Sequence, residues 1–462
     1  MNAADIPFLS TGELSRLIES KEVSPVEVAE AYLARIDALD FKFNAYLTVS
    51  RKEALAAAGA AEEAILRGGY LGPMHGIPVA VKDQLWTKGV RTTGGSRVLA
   101  DFFPEQDSTV AANLKEAGAV ILGKTNMTEL AIGGPHRYSQ PRNPWDLDAY
   151  PGRSSSGSGV ATAAYLCSTS IGEDTGGSIR IPAAFCGVVG LRPTWGLVSR
   201  YGLMPGAWSM DTAGPISRTV EDAVITLGAI AGHDPRDPYT WTAPTPDFRQ
   251  SLNGDVKDLR IGIVKEQIEA DVVEPEVGDA VLKATSVLGE LGAVVEEVSI
   301  PHAAYANSPA WGAMAIEPAI NYRQWARERL HEFGRGNRAG LLLGSIIPAQ
   351  AYYKTQKLRA LLRGQVLEAF ERYDVLALPT TGRPAAHMDD DPVVTDRLPS
   401  AQTALFNLAS CPAISLPCGL SSRGMPISLQ LGGRPGADGT IIRAAHAYER
   451  HTDWHTKRPP FA

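Results

Sequence analysis

The chain has 462 residues, of which 44% are hydrophobic and 21% are charged, a composition typical of a soluble globular enzyme. Its length exceeds one ordinary domain, so two domains or one large sheet protein would both fit. The net charge of −7 and the lack of a long basic run argue against nucleic acid or an anionic membrane surface as the main partner. The N-terminal sequence has no signal-peptide pattern, and no apolar run approaches the roughly 20 residues of a membrane helix. We therefore expect no membrane association and a cytoplasmic location.

Helices are predicted near the N-terminus. The stretches Ser10–Glu13 (STGE) and Ser24–Glu27 (SPVE) both read as capping boxes, and Pro25 suits the first helical position of the second. Residues 45–49 (AYLTV) predict a strand, and the alanine-rich residues 52–66 predict a helix.

Strand and helix signals then alternate along the chain. Short apolar runs that predict strands occur at residues 77–83, 119–124, 259–264, 293–300, 374–380, 413–419 and 426–432. With helical patterns between them, these runs predict an α/β fold with a single large, mixed and mostly parallel sheet that helices cover on both faces. Residues 232–248 are the best loop candidate, and residues 301–364 predict a helical insertion rich in Trp, Tyr and Met. We therefore expect one domain over residues 1–462.

Two patterns look like ligand sites but favour ordinary structure. GAVILGKT at Gly118–Thr125 fits the phosphate-binding loop pattern, yet its middle residues are Ala, Val, Ile and Leu, which favour a strand. His446, His451 and His455 contain one i, i+4 pair, but the pattern lacks the general base and the third ligand of a zinc enzyme, so we expect a solvated helix end. The four cysteines form no CxxC pair and are predicted to be buried free thiols.

The stretch Gly152–Phe185 is crowded with small residues at both ends, but its middle is apolar, which argues against a flexible linker. DTGGS at Asp174–Ser178 predicts a tight turn into a helix, where glycines let backbone N–H groups approach a ligand. A helix start also favours negative charge. This arrangement predicts an oxyanion hole with Ser178 as the nucleophile, for which His75 and Lys82 are the candidate bases.

Six motifs stand out in addition. They are HGIPVAVKD at 75–83, GKTNMTELA at 123–131, GRSSSGSG at 152–159, GEDTGGSIRIPAAFCGVVGLRPT at 172–194, GPISRTVEDA at 214–223 and ALFNLASCPAISLPCG at 404–419. Together they resemble the amidase signature family, in the family's order and over nearly the whole chain, with the signature core at about residues 70–225. The resemblance implies one large mixed sheet wrapped by helices, and an amide hydrolase that needs no metal and no cofactor.

The resemblance also implies catalytic roles. By motif match, Ser178 resembles the nucleophile, Ser154 the bridging serine and Lys82 the base of the family's Ser-Ser-Lys triad. The resemblance also implies that the backbone N–H groups of Thr175, Gly176, Gly177 and Ser178 form an oxyanion hole. Ser155, Asp174 and Arg180 are expected to support the site. Burial of Lys82 at a strand end would lower its pKa and let it act as a neutral base.

The sequence departs from the family's G-G-S-S-G-G-S pattern, because Arg153 and Ser156 stand where the family has glycines. Relatives often have a cis peptide before the bridging serine, so we expect a cis Arg153–Ser154 bond and a side chain at 153 that can reach a substrate group. Asp174 and Arg180 flank the nucleophile and are predicted to hold the turn as an ion pair.

The predicted substrate is a small aryl or apolar amide, anilide or carbamate, because large side chains are abundant near the predicted mouth of the site. The candidate substrate contacts are Met127, Arg153, Trp208 and Trp311. This interpretation predicts a free-standing urethanase or aryl acylamidase without a nucleic-acid partner, and it leaves a homodimer open.

Two other functions stay open. One is the glutamine-hydrolysing subunit of a tRNA-dependent amidotransferase, which would need a partner protein. The other is a non-catalytic binding scaffold, against which the intact Lys82, Ser154 and Ser178 count.

Overall fold

The computed structural model describes residues 2–133, 135–388 and 401–462. Eleven strands within these ranges form one sheet: β1 Tyr46–Val49, β2 Pro78–Lys82, β3 Val120–Thr125, β4 Thr169–Glu173, β5 Val189–Arg192, β6 Ala213–Ser217, β7 Arg260–Val264, β8 Val294–Val298, β9 Val375–Pro379, β10 Ala413–Leu420 and β11 Pro426–Gly433. All the runs predicted as strands are strands. The sequence pattern does not predict β4, β5 and β6, because all three are short and contain glycine, which weakens a strand signal.

The strands lie in the order β1-β3-β2-β4-β6-β5-β10-β11-β9-β7-β8. Four neighbouring pairs are parallel and six are antiparallel, so the sheet is mixed, as predicted, but has less parallel pairing than predicted. The parallel pairs form two groups, β3-β2-β4 and β9-β7-β8. The signature core supplies the first group, and it is this group that carries the catalytic candidates.

Fifteen α-helices accompany the sheet in the described ranges: α1 Thr11–Glu19, α2 Pro25–Phe43, α3 Arg51–Leu66, α4 Thr109–Glu116, α5 Ser156–Ala163, α6 Arg180–Cys186, α7 Val220–Ile230, α8 Lys265–Ile268, α9 Pro275–Glu290, α10 Asn307–Asn321, α11 Arg323–Glu328, α12 Arg335–Ile346, α13 Ala349–Ala369, α14 Ala404–Ala409 and α15 Asp438–Arg450. Both predicted capping boxes are present, since the Ser10 and Ser24 hydroxyls accept the N–H groups of Glu13 and Glu27. The predicted loop at residues 232–248 holds no α-helix or strand.

Side chains of β9 show how the sheet separates two cores. Val375 and Ala377 belong to one large buried cluster, whereas Leu376 and Leu378 belong to another. Because successive side chains of a strand point to opposite faces, the two clusters lie on opposite faces of the sheet. Helices α10, α13 and α14 contribute to the second cluster, so the predicted helical region packs over the sheet.

The structure also bears on the predictions for the phosphate-loop pattern, the cysteines and membrane helices. The apparent phosphate-binding loop is the strand β3, and its Lys124 is buried and donates to the Thr87 hydroxyl at 3.0 Å. All four cysteines are free and buried, as predicted. None of the helices in the described part of the chain is both long enough and apolar enough to cross a bilayer.

Candidate active site

The end of strand β2 carries Lys82, whose side chain is completely buried. Its Nζ lies 2.7 Å from Ser154 Oγ and 3.0 Å from Glu173 Oε2. Burial lowers the pKa of Lys82 from its ordinary value of 10.5, and the charge of Glu173 partly opposes this shift. The structure therefore places a lysine with a lowered pKa in direct contact with Ser154, the predicted bridging serine.

The serine loop before α5 presents Ser154 to the lysine. The Arg153–Ser154 peptide bond is cis, as predicted. The next residue, Ser155, donates its hydroxyl to the carbonyl of Glu173 at 3.1 Å and accepts the N–H of Glu173 at 3.2 Å. These two bonds fasten the loop to the end of β4, so Ser155 supports the position of its neighbour.

The turn between β4 and α6 carries Ser178. Gly177 has a φ of +119°, and a Cβ there would lie 2.3 Å from Thr403 Oγ1, so both conformation and space require glycine. The Thr403 hydroxyl donates to the carbonyl of Gly176 at 2.7 Å, and the Asn407 amide donates to the carbonyl of Thr175 at 2.8 Å. Both carbonyls of the turn are therefore held by the segment around α14.

The predicted oxyanion hole is only partly directed at the cleft. Thr175, Gly176 and Ser178 line the cleft. The N–H of Gly177 instead donates to Asp174 Oδ1 at 2.8 Å, so it is used inside the turn. Of the four predicted donors, the three that line the cleft stay candidates for binding an oxyanion.

Asp174 and Arg180 form the predicted pair, with Nε to Oδ2 and Nη2 to Oδ1 distances of 3.0 Å each. Arg192 adds a further contact to Asp174 at 3.3 Å. Burial alone would raise the pKa of Asp174, but the two guanidinium groups outweigh it and hold the pKa of that carboxyl well below its usual range. Asp174 is therefore an ionised anchor of the turn.

The serines open onto a cleft whose empty space, including the part open to solvent, is about 530 Å³. Its apolar lining consists of Ala131, Ile132, Ile181, Ala207, Trp311, Met314 and Pro318. Among the described residues that line it, Arg153 is the one with a formal charge. The structure thus brings together Arg153, Ser154, Thr175, Gly176, Ser178 and Trp311 from the residues predicted by sequence.

The other predicted residues lie elsewhere. Met127 is fully buried, and Trp208 is 45% exposed and packs beside Tyr239 with a ring distance of 5.1 Å; neither lines the cleft. His75, the alternative base, precedes β2 and accepts the N–H of Leu71 at 3.0 Å through Nδ1. It therefore lies at the opposite end of the strand from Lys82.

The sequence interpretation missed Glu173 and Asn407, two polar residues that the structure places at the site. Glu173 ends the buried strand β4 as Lys82 ends β2, but local sequence does not reveal that these two strands are neighbours. These two strands pair in parallel, with Val81 opposite Ile171, so the two charges meet at one edge. Chemically, a serine beside a buried lysine and backbone N–H donors is suited to acyl transfer.

Comparison with known proteins gives consistent full-length matches. The family model described as Amidase matches residues 27–442. The chain is 44% identical to a glutamyl-tRNA(Gln) amidotransferase subunit of Moorella thermoacetica, over 98% of this chain and 99% of the relative. It matches the crystal structure of the same subunit from Thermotoga maritima with a TM-score of 0.82 and 34% identity, over 97% and 96% of the two chains. It also matches a bacterial aryl acylamidase with a TM-score of 0.89 and 28% identity, over 97% of each chain.

These matches correct the substrate and partner predicted from the sequence. Relatives that are 42–44% identical over 98% of the chain are named as amidotransferase subunits, so the prediction of a free-standing hydrolase of aryl amides, anilides or carbamates is wrong. Their name includes a tRNA, so the prediction that nucleic acid plays no part is also wrong. The aromatic side chains misled the prediction because most do not reach the cleft: Tyr305 and Tyr353, for example, are 65% and 66% exposed.

Proposed function

The chain belongs to the amidase signature family, and from that premise we propose that it is the glutamine-hydrolysing subunit of a tRNA-dependent amidotransferase. Hydrolysis of a C–N amide bond is the family's chemistry. In the proposed role the enzyme cleaves the side-chain amide of glutamine, and a partner subunit uses the ammonia to amidate glutamate attached to tRNA.

One observation carries the proposal: 44% identity to a named amidotransferase subunit, extending over 98% of this chain. The aryl acylamidase, by contrast, shares 28% identity. We also infer that residues 1–462 act as one amidase domain, because a single sheet includes all the strands in the described ranges. A cytoplasmic location suits an enzyme that serves tRNA.

The proposed chemistry uses Ser178, Ser154 and Lys82 in sequence. Neutral Lys82 takes the proton of Ser154, which takes that of Ser178 as the Ser178 oxygen attacks the amide carbon. N–H groups at Thr175, Gly176 and Ser178 stabilise the negative oxygen that forms. The proton returns through Ser154 to the leaving nitrogen, ammonia departs, and water then hydrolyses the acyl-enzyme to the free acid.

Arg153 supports a substrate that carries negative charge. Its side chain lies at the cleft together with Ser154 and Ser178. A guanidinium matches a carboxylate in both charge and geometry, and glutamine has a carboxylate whereas a simple anilide does not. We therefore expect Arg153, which also has a partner within the protein, to contact the carboxylate of an amino-acid amide.

The test compares two substrates with and without partners. Glutamate release from glutamine and hydrolysis of an anilide are measured for the purified chain, alone and with the remaining amidotransferase subunits of the same organism. We expect the complex to prefer glutamine by about a hundredfold or more in kcat/KM, because a site that binds the carboxylate and amine of an amino acid loses those contacts with an anilide. Anilide hydrolysis by the chain alone that exceeds glutamine hydrolysis by the complex would refute the proposal.

Matched serine variants accompany this comparison. Ser178→Ala is expected to abolish glutamine hydrolysis. Ser286, on α9, is exposed and donates its hydroxyl to Leu282 within its own helix, so Ser286→Ala is expected to retain it.

A further inference from the structure

Two carboxyl groups that the triad chemistry does not use lie behind Lys82. Glu173 and Asp211 are 0% and 1% exposed. Glu173 ends β4, and Asp211 lies just before β6, which is the neighbour of β4 in the sheet. A charged side chain is rarely this buried unless it has a partner. The partner of Glu173 is the proposed base, whereas Asp211 accepts the N–H groups of Gly206 and Ala207.

The contacts of Lys82 fit both protonation states of its amine. Nζ has three polar neighbours: Ser154 Oγ at 2.7 Å, Glu173 Oε2 at 3.0 Å and the Glu173 carbonyl at 3.4 Å. A neutral amine has one lone pair and two hydrogens, so it can accept from Ser154 while donating twice to Glu173. An ammonium donates to all three. The lysine can therefore gain a proton without moving.

The second oxygen of Glu173 is linked through the Thr175 hydroxyl to Asp211, and this hydrogen-bonded group of side chains holds a proton. Thr175 Oγ1 lies 2.6 Å from Glu173 Oε1 and 2.7 Å from Asp211 Oδ1. A hydroxyl has one hydrogen, so it can donate to one carboxylate only, and the other carboxyl must donate to it. Burial and the charge of Glu173 raise the pKa of Asp211 to about 7. The two carboxyl groups therefore share one proton, and Glu173, whose other oxygen contacts the Lys82 amine, is the member placed to pair with a charged lysine.

We propose that Glu173 is a positioning residue for the base: its carboxylate orients Lys82 and stabilises the ammonium that forms when Lys82 takes the proton of Ser154. This role rests on the proposed Ser178–Ser154–Lys82 relay. During attack, the Ser178 oxygen–carbon bond forms and one proton moves through Ser154 to Nζ, which gives an ammonium–carboxylate pair. When the C–N bond breaks, the same proton returns through Ser154 to the leaving nitrogen, and Glu173 keeps its charge throughout.

The proposal predicts the direction of a pH shift. Other charged or titratable groups that face this cluster are Asp174, Arg192, Arg200 and Tyr322. All of these remain in a Glu173→Gln variant, whose amide can accept from Lys82 and donate to Thr175 without a charge. Removing the carboxylate also removes the charge that raises the pKa of Asp211, so the shift measured at Lys82 is the effect of Glu173 less any compensation by Asp211.

The experiment measures the rate at which a fluorophosphonate labels Ser178, from pH 5 to pH 10, with peptide mapping of the labelled site. This readout needs neither glutamine nor a partner subunit. In the wild type the rate should rise with pH as Lys82 loses its proton. In Glu173→Gln the rising limb should move down by about one pH unit or more, because a neighbouring opposite charge is lost. The plateau should fall about tenfold, because the base is weaker.

Glu449 provides the matched control. It is a buried glutamate on α15 that accepts the N–H of Val220 at 2.9 Å, so Glu449→Gln makes the same chemical change in another part of the fold. The rising limb of the labelling rate for Glu449→Gln should coincide with that of the wild type. A Glu173→Asp variant keeps the charge at a greater distance and should give a smaller downward shift than Glu173→Gln.

A folded Glu173→Gln protein whose limb coincides with that of the wild type would overturn the role of Glu173. If that variant does not fold, an unshifted limb in Glu173→Asp would do the same. A wild type that is not labelled at Ser178 at any pH would refute the proposed nucleophile itself, and the role of Glu173 with it.

Discussion

Lys82 Nζ lies 2.7 Å from Ser154 Oγ, where the end of β2 meets the loop before α5. The two residues are 0% and 2% exposed, so the contact is almost fully removed from bulk solvent. Burial also disfavours the charged form of the lysine. The contact therefore couples a lysine with a lowered pKa to a serine that lines the cleft.

Replacing Lys82 with methionine is expected to lower kcat about a thousandfold, because the general base is lost. The limb of the pH profile that rises with pH should disappear as well. Because burial lowers the pKa of Lys82 below 10.5, the wild-type limb should lie below that pH. Steady-state glutamine hydrolysis across pH values checks this.

Lys124 is the matched control for that variant. It is also fully buried, and burial lowers its pKa to about 8. Its amine donates to the hydroxyls of Thr87 and Thr92, which follow β2, and does not contact Ser154. Lys124→Met should reduce stability and leave the limb in place. A limb that survives in Lys82→Met but vanishes in Lys124→Met would show that the base is misassigned.

Ser154→Ala should chiefly impair catalysis, whereas Ser155→Ala should chiefly reduce stability. Ser154 bridges the relay, so its loss should reduce kcat about a hundredfold or more. The Ser155 hydroxyl bonds the backbone of Glu173, so its loss should chiefly lower the melting temperature. Kinetics and thermal melts on the pair check the distinction, and equal kcat losses without any stability loss would contradict it.

Asp174→Asn is expected to destabilise the fold by about 3–5 kcal/mol, because it leaves two buried guanidinium groups with one partner fewer. The wild-type contribution also has a pH dependence. The folded pKa of Asp174 lies below its ordinary value of 3.8, so the stability is present above that pH and is lost as the pH falls below it. Urea unfolding at pH 7 and near pH 3 measures both effects. A variant as stable as the wild type at pH 7 would contradict the anchoring role.

Trp311→Ala and Trp208→Ala test which aromatic residues contact substrate. Trp311 lines the cleft, so its truncation should raise KM. Trp208 packs with Trp195 and Tyr239 outside the cleft, so its truncation should lower stability by about 1 kcal/mol and leave KM unchanged. The reverse pattern would show that substrate contacts Trp208 and its neighbours Trp195 and Tyr239.

Local sequence predicts the strand end and the turn that carry Lys82 and Ser178, because each lies in a short motif. Ser178 follows two glycines, one of which needs a positive φ, and Lys82 ends a buried strand. The capping boxes of α1 and α2 are equally local, and both are present. In each case the residues that determine the structure are neighbours in sequence.

Local sequence does not predict contacts between elements that are distant along the chain. Contact between Lys82 and Glu173 requires β2 to pair with β4, and a single sequence does not fix strand order. Asn407 reaches the nucleophile turn across 232 positions. The abundance of aromatic residues at 301–364 likewise does not reveal which of them line the cleft, and this is why the predicted substrate is wrong.

In the proposed function, this chain releases ammonia from glutamine for a tRNA-linked reaction. The most direct measurement supplies glutamine labelled with ¹⁵N in its side-chain amide to the complex, together with tRNA carrying glutamate, and follows the label. We expect ¹⁵N in the tRNA-linked amino acid with the wild-type chain and none with Ser178→Ala. Absence of label in that product, while the wild-type chain hydrolyses other amides without any partner, would contradict the claim.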